Sequence, residues 1–130
     1  MRKILLAVAI VTISSVASIA QKAEVLYFKA NLACCPARAC SELEGEVKQI
    51  IESNFSADKV TFKAVMISDE QNKDLVEKHN AKSQTVVIVA KKKKNETVID
   101  VSDIIRDYNR NKSKEELKTK LIAKINDSLK

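Results

Sequence analysis

Glycine, proline and histidine are almost absent from this chain of 130 residues, which contains one of each, Gly45, Pro36 and His79. A single glycine cannot build a glycine-rich phosphate loop, so dinucleotide-binding and P-loop sites are excluded. No serine, histidine and acid arrangement can be drawn from the sequence, and the single histidine lies far along the chain from the three cysteines. A closed structural zinc site with four ligands is therefore not expected.

Cysteine is also scarce, and all three cysteines, Cys34, Cys35 and Cys40, lie within residues 34–40. This segment follows an apolar run, residues 25–28, and precedes a segment with helical periodicity. A thiol reacts as the thiolate, and the start of a helix favours that anion through its unpaired N–H groups and its dipole. The position predicts sulfur chemistry, and at least one of the three thiols cannot pair within the chain.

Residues 1–20 have the pattern of a signal peptide. Arg2 and Lys3 form a basic start, an apolar stretch follows, and Ser18, Ile19 and Ala20 offer the small residues of a cleavage site. The stretch is short for a membrane span and is diluted by serine and threonine. We predict cleavage after Ala20, a periplasmic or secreted domain over residues 21–130, and no stable membrane insertion after cleavage. No cysteine ends the apolar run, so a lipid-attached form is not expected.

Positively charged residues are in modest excess over negatively charged ones. The full chain carries +6, and loss of Arg2 and Lys3 lowers this to +4. Much of the excess comes from four consecutive lysines, residues 91–94, with no aromatic residue among them. Without a stacking residue this run is typical of an exposed hairpin connection, and nucleic-acid binding is not expected.

Hydrophobic periodicity gives the order of elements. Residues 23–28 are predicted as a strand and residues 60–65 as a second, each followed by a helix, and residues 85–90 and 97–101 as a hairpin. Patterns of serine followed three residues later by Glu or Gln predict helix starts at Ser68 and Ser113. The last helix places Leu117, Leu121, Ile125 and Leu129 on one face. The predicted order is strand, helix, strand, helix, hairpin, helix.

Residues 34–38, Cys-Cys-Pro-Ala-Arg, resemble the thioredoxin site Cys-x-Pro-Cys-Arg/Lys with Ala37 at the second cysteine. The chain also resembles a small exported thioredoxin-like family labelled nitrophenyl-compound nitroreductase subunit ArsF, through Tyr27-Phe28, residues 72–78 and residues 83–87. The likeness spans roughly residues 25–101. It implies an α/β thioredoxin-like three-layer sandwich, βαβαββα, with a four-stranded mixed sheet in the order 2-1-3-4. It also places Cys34 in the nucleophile position.

Two departures from the thioredoxin pattern affect mechanism. Ala37 stands where the resolving thiol belongs, and residues 82–85 lack the cis-proline that thioredoxins place before the third strand. Because a cis bond without proline costs about 3 kcal/mol, we expect a trans peptide there.

The start of the first helix decides the role of Cys40. A start at Pro36, a favoured first position, puts Cys40 on the buried stripe, about 9 Å from Cys34 between Cα atoms, too far for a disulfide. A start at Ser41, where a third capping pattern lies, would instead leave a loop in which Cys35 and Cys40 could form a bridge. We favour the earlier start.

Cys35 has three interpretations: a second thiolate beside Cys34, a tolerant cap position, or one ligand of a thiophilic ion shared with Cys34 and Cys40. No cofactor and no metal are assigned. His79 is predicted to be a surface or cap residue.

The predicted function is thiol-disulfide exchange through Cys34 with protein or small-molecule thiols and disulfides, an external thiol replacing the missing resolving cysteine. Cys35 and Cys40 complete the candidate site. A thiolate metal or metalloid binder and a redox-inert interaction module are the alternatives.

Overall fold

The computed structural model describes residues 22–31 and 34–130, and in the first helix it describes side chains from Arg38 onward. The strands are β1 (Lys22–Lys29), β2 (Val60–Met66), β3 (Val86–Lys92) and β4 (Asn95–Asp100). The helices are α1 (Cys34–Asn54), α2 (Lys73–Lys78), α3 (Ser102–Asn111) and α4 (Lys114–Ser128). The predicted leader, residues 1–20, lies outside the described residues.

The four strands form one mixed sheet in the order β2-β1-β3-β4. Strands β1 and β2 are parallel, as a strand-helix-strand unit requires, whereas β3 is antiparallel to both β1 and β4. Lys92 pairs with Asn95 across the two-residue turn of the hairpin, whose Lys93 has a positive φ of 52°. The predicted thioredoxin-like α/β fold with strand order 2-1-3-4 is confirmed.

Strand β1 lies in the interior of the sheet, which explains its nearly continuous apolar sequence. Ala23, Val25 and Tyr27 face one side of the sheet, and Leu26 and Phe28 face the other. All five are buried. A central strand with helices on both faces buries both sets of its side chains, so it loses the simple alternation of a half-exposed strand.

Two apolar layers cover the faces of the sheet unequally. On one side the sheet packs against apolar residues of α1, α3 and α4, including Leu43, Ile104 and Leu121. On the other side the cover is thin, with Leu75 and Val76 of α2 and the neighbouring Ala81. The three layers match the predicted sandwich, and most of the core lies on the side of α1.

The predicted order contained one helix after the hairpin, and the structure contains two. The missed helix, α3, starts where Asp100 Oδ1 accepts a hydrogen bond from the Ser102 N–H at 2.8 Å. Ile104 and Ile105 are buried, and Tyr108, four positions after Ile104, packs against the same core. These three positions have helical spacing, so hydrophobic periodicity in the sequence could have predicted α3.

The predicted capping box at Ser68 is wrong. A 3-10 turn, Glu70–Asn72, precedes α2, and Asp69, the residue before that turn, makes no side-chain capping bond. Instead the Asn72 amide donates to the Met66 carbonyl at 3.0 Å, and this bond fastens the turn to the end of β2. A bond to the preceding strand therefore takes the place of the local serine cap.

Candidate functional site

Helix α1 begins at Cys34, shortly after β1 ends at Lys29. The early helix start is confirmed, since Ser41 lies inside α1 rather than at its first turn. The first turn contains no acidic residue. The backbone N–H groups and the dipole at this end act on residue 34 without a neighbouring carboxylate in that turn to oppose them.

The side chains of Cys34, Cys35, Pro36 and Ala37 lie outside the described part of the structure. Only the backbone of these residues is described. It lies at the beginning of α1, near the carboxyl end of the interior strand β1. The predicted nucleophile, Cys34, occupies the first position of the helix. Its reactivity stays a prediction, as does the role of Cys35.

Cys40 is a free cysteine, and only 5% of its surface is exposed. It belongs to the larger apolar cluster together with Leu43 and Val47, one and two turns further along α1. This is the placement predicted from a helix start near Pro36. In this arrangement reagents in solvent do not reach the Cys40 sulfur.

The Tyr27 hydroxyl contacts Cys40 twice. It donates to the Cys40 carbonyl at 3.3 Å, and its oxygen lies 3.4 Å from Cys40 Sγ. With the hydroxyl proton directed at the carbonyl, the thiol is the donor to the hydroxyl oxygen, and both buried polar groups are satisfied. Burial, and then the hydrogen bond with Cys40, raises the pKa of Tyr27 above its ordinary value. The phenol therefore stays protonated at any physiological pH.

An ion pair joins the end of β1 to α1. Lys29 Nζ lies 3.0 and 3.2 Å from the two carboxylate oxygens of Glu44, and both side chains are partly buried. Arg38, one turn into α1, is exposed, and no carboxylate among the described residues pairs with it. Lys29 is thus neutralised by its partner, whereas the charge of Arg38 remains available at the start of the helix.

The segment before β3, where thioredoxins have cis-proline, is held by backbone bonds. Phe28 of β1 accepts from the Gln84 N–H and donates to the Thr85 carbonyl, each at 2.9 Å. Gln84 has a φ of 63°, in the left-handed region, and its side-chain oxygen accepts from Asn109 of α3 at 2.9 Å. The described residues contain no cis peptide bond, in agreement with the predicted trans peptide.

His79 follows α2 as its C-terminal cap and is half-buried, with its ring centroid 5.9 Å from that of Phe28. The prediction of a surface or cap residue is confirmed. Burial, together with the nearby Lys78 ammonium, lowers the pKa of His79, and Glu96 opposes this effect. Because Phe28 belongs to the smaller apolar cluster, His79 packs against the α2 side of the sheet.

Within residues 22–31 and 38–130, no three histidine, cysteine or acidic side chains come together as a metal site. Of the three sulfurs considered for a metalloid, only that of Cys40 is described, and it faces Tyr27 in the core. A three-sulfur site would require this sulfur to leave the core.

Two cavities among the described residues lie away from the start of α1. One, about 390 Å³, lies between the end of α1 and β2, with Ile51, Phe55 and Phe62 in its lining. Another, about 240 Å³, lies where β1 begins, among Lys22, Lys59 and Lys91. No helix in the described part of the chain combines the length and apolar character needed to cross a membrane.

Comparisons with known proteins return structural neighbours only. No family model and no curated protein matches the sequence. The chain is similar to a thioredoxin from Thermus thermophilus known from its solution structure, with 14% identity and a TM-score of 0.43 over 68% of this chain and 72% of that one. It is also similar to a structure described as a malarial protein, with 20% identity and a TM-score of 0.39 over 68% of this chain and 96% of that one. At these TM-scores the likeness carries no argument, and the fold assignment rests on the sheet topology itself.

Sequence reasoning missed two contacts that shape this region. The contact between Tyr27 and Cys40 joins residues thirteen positions apart, and the bond between Gln84 and Asn109 joins residues twenty-five positions apart. The second of these needs α3, the helix that the predicted order lacked. Neither pair has a local motif that could have revealed it.

Proposed function

We propose that this protein is an exported thiol-disulfide exchange protein with Cys34 as its nucleophile. One observation carries the proposal: α1 begins at Cys34 and is the next element after an interior strand of a thioredoxin-like sheet. A thiolate at that position gains from the unpaired N–H groups of the first turn, and Arg38 adds a positive charge one turn further along.

The exchange step is a displacement at sulfur. The Cys34 thiolate attacks one sulfur of a partner disulfide, a bond forms between the two sulfurs, and the second partner sulfur leaves as a thiolate. A second thiolate must then attack the mixed disulfide, restore the Cys34 thiolate and carry away the partner's sulfur as a new disulfide.

Cys40 is poorly placed to supply that second thiolate. It lies in the core against Tyr27, so its attack on Cys34 would require α1 to open. Ala37 occupies the family's resolving position and has no sulfur. We therefore propose that the resolving thiol comes from another molecule, a small thiol or a protein thiol.

Two finer predictions belong to this proposal. Export after cleavage behind Ala20 gives the oxidising compartment in which disulfide partners persist. The resemblance to the ArsF-labelled family supports the position of the nucleophile and specifies no substrate. The mass of the exported protein tests the cleavage site directly.

The decisive experiment compares the variants Cys34→Ser, Cys35→Ser and Cys40→Ser with the wild type. Each native protein is pulsed with iodoacetamide at neutral pH, and labelled peptides are identified by mass spectrometry. We expect Cys34 to react faster than free cysteine and Cys40 to react only after unfolding. With glutathione disulfide, the mixed disulfide should form in every protein except Cys34→Ser.

The alternatives predict other results. If Cys34 alkylates no faster than free cysteine and forms no mixed disulfide, the exchange proposal is wrong and a redox-inert module is favoured. If Cys35→Ser removes the fast phase and Cys34→Ser does not, the nucleophile has been assigned to the wrong neighbour.

A further inference from the structure

Strand β2 lies at one edge of the sheet, where half of its backbone groups point away from β1. The Lys59 carbonyl accepts from the Ala23 N–H, and the Ile67 N–H donates to the Lys29 carbonyl. Because only alternate residues of a strand bond to a given parallel neighbour, the odd-numbered residues of this segment bond to β1. The N–H and C=O groups of the even-numbered residues of β2 point outward. We call these outward groups of residues 60–66 the outer edge of β2.

The chain itself closes the two ends of the outer edge. At the first end, the Val60 N–H donates to the Ser56 carbonyl at 3.0 Å. At the last end, the Met66 carbonyl accepts from the Asn72 side-chain amide at 3.0 Å. These two bonds satisfy outward groups that would otherwise need water or a partner chain.

The middle of the outer edge is open. Its N–H and C=O groups belong to Phe62 and Ala64, and no hydrogen bond in the described part of the chain engages them. Lys63 and Ala64 are exposed, and Phe62 is half-buried. An unpaired row of this kind is a template for one more extended strand.

The side chains on the two faces of β2 differ beside this open stretch. On the α1 side lies the cavity of about 390 Å³, with Ile51, Phe55 and Phe62 in its lining. A residue placed opposite Phe62 would direct its side chain to that same face, so an apolar side chain there would meet the cavity. On the other face Lys63 is exposed, and no carboxylate among the described residues pairs with it.

Lys63 decides between two kinds of added strand. If two copies of β2 paired as antiparallel strands, the register that uses Phe62 and Ala64 of both copies would place Lys63 opposite its own counterpart. Like charges directly opposite each other destabilise a strand pair, and a lysine on an edge strand commonly prevents such pairing. A strand from another protein with an acidic residue at that position would instead gain an ion pair.

We propose that the outer edge of β2 binds an extended segment of a partner protein as an added antiparallel strand. An acidic residue of that segment lies opposite Lys63, and its two apolar neighbours lie opposite Phe62 and Ala64. Backbone hydrogen bonds supply the affinity in strand addition, and alternate side chains supply the specificity. The surface does not include Cys34, so this proposal and the exchange proposal can fail separately.

The test titrates the isotope-labelled protein with the blocked peptide Ser-Thr-Val-Glu-Val-Thr-Ser and follows the amide signals of Phe62 and Ala64 by NMR. A second peptide has lysine in place of glutamate, and a third has both valine nitrogens methylated. The charge variant is Lys63→Glu, and its matched control is Lys118→Glu, at an exposed lysine of α4. Ala64→Pro removes one outward N–H, and proline is tolerated at an edge position of this kind.

We expect the glutamate peptide to shift both amide signals and to bind more tightly than the lysine peptide, on the order of 3-fold. Lys63→Glu should reverse this preference, whereas Lys118→Glu and Cys34→Ser should keep it. Methylation of the peptide, and Ala64→Pro in the protein, should each weaken binding, because each removes an N–H group of the added strand pair.

Three results would overturn the proposal. The first is that the Phe62 and Ala64 signals stay unchanged up to millimolar glutamate peptide. The second is equal affinity for the two charged peptides, or a preference that Lys63→Glu leaves unaltered. The third is a dimer of the free protein in sedimentation that Ala64→Pro separates, which assigns the outer edge to a second copy.

Discussion

Among the buried side chains of the core beside α1, Tyr27 makes a polar contact with α1. Its ring is fully buried in β1, and its hydroxyl is satisfied by the backbone and the sulfur of Cys40. Tyrosine supplies the large apolar body that a central strand needs, and its polar end is acceptable there because a partner lies within reach. The pair ties β1 to the second turn of α1.

Replacement of Tyr27 by phenylalanine tests this contact at constant shape. We expect Tyr27→Phe to lower the free energy of unfolding by about 1 kcal/mol, because the hydroxyl bonds are lost and little volume changes. The measurement is the urea midpoint of the purified protein. Tyr108→Phe is the matched control, since Tyr108 is half-buried and its hydroxyl makes no hydrogen bond to any described residue, while Lys112 lies over its ring at 5.5 Å. Equal shifts in the two variants would contradict this role for the Tyr27 hydroxyl.

Among the helices, three serine capping patterns had similar local sequences and different outcomes. Ser41 lies inside α1, Ser68 makes no described capping bond, and Ser113 caps α4 by accepting from the Glu116 N–H at 3.3 Å. The local motif alone could not distinguish them, because helix starts also depend on what the neighbouring chain packs against. At Ser113 the preceding residue, Lys112, has a φ of 55° and closes α3, which leaves Ser113 free to begin the next helix.

This difference predicts unequal effects of the same substitution. Ser113→Ala should lower the free energy of unfolding by about 1 kcal/mol through loss of the cap. Ser68→Ala should change it by less than about 0.5 kcal/mol, as is usual for an exposed position without a specific bond. Thermal melts of both variants provide the measurement. A loss at Ser68 as large as that at Ser113 would show that the predicted capping box forms after all.

The molecule as a whole has a thick apolar layer on one face of the sheet and a thin one on the other. Among the residues whose side chains are described, eighteen buried ones belong to the layer that includes α1, α3 and α4, and six belong to the layer covered by α2. Regions with few buried apolar contacts open at lower free energy than the rest of the domain. We therefore expect α2 to detach from the sheet more readily than α4.

Truncations on the two faces measure this asymmetry. Leu121→Ala in α4, a fully buried position, should cost about 2 to 5 kcal/mol of global stability. Leu75→Ala in α2, which is half-buried, should cost less and should speed hydrogen exchange of the α2 amides without affecting those of α4. If both substitutions reduce the hydrogen-exchange protection of α2 and α4 equally, the two layers unfold as one unit. The difference in layer thickness would then have no effect on local stability.

Local patterns in the sequence located the strands along the chain, and the resemblance to thioredoxins supplied their order in the sheet. Three local patterns correspond to elements of the structure: the β-branched runs, the lysine-rich turn, and the helical stripe through Leu117, Leu121 and Ile125. Periodicity and resemblance together therefore predicted the correct sheet. The sequence also placed Cys40 on the buried stripe, because Pro36 and good helix formers favoured an early helix start.

Tertiary structure decided the rest. Which serine caps a helix, the contact of Cys40 with Tyr27, the left-handed turn at Gln84 bonded to Asn109, and the gathering of Lys22, Lys59 and Lys91 all depend on segments distant in sequence. Such contacts exist only once strand register and helix packing bring those segments together. Periodicity reports which face of an element is apolar, and it contains no information about the partner that the face will meet.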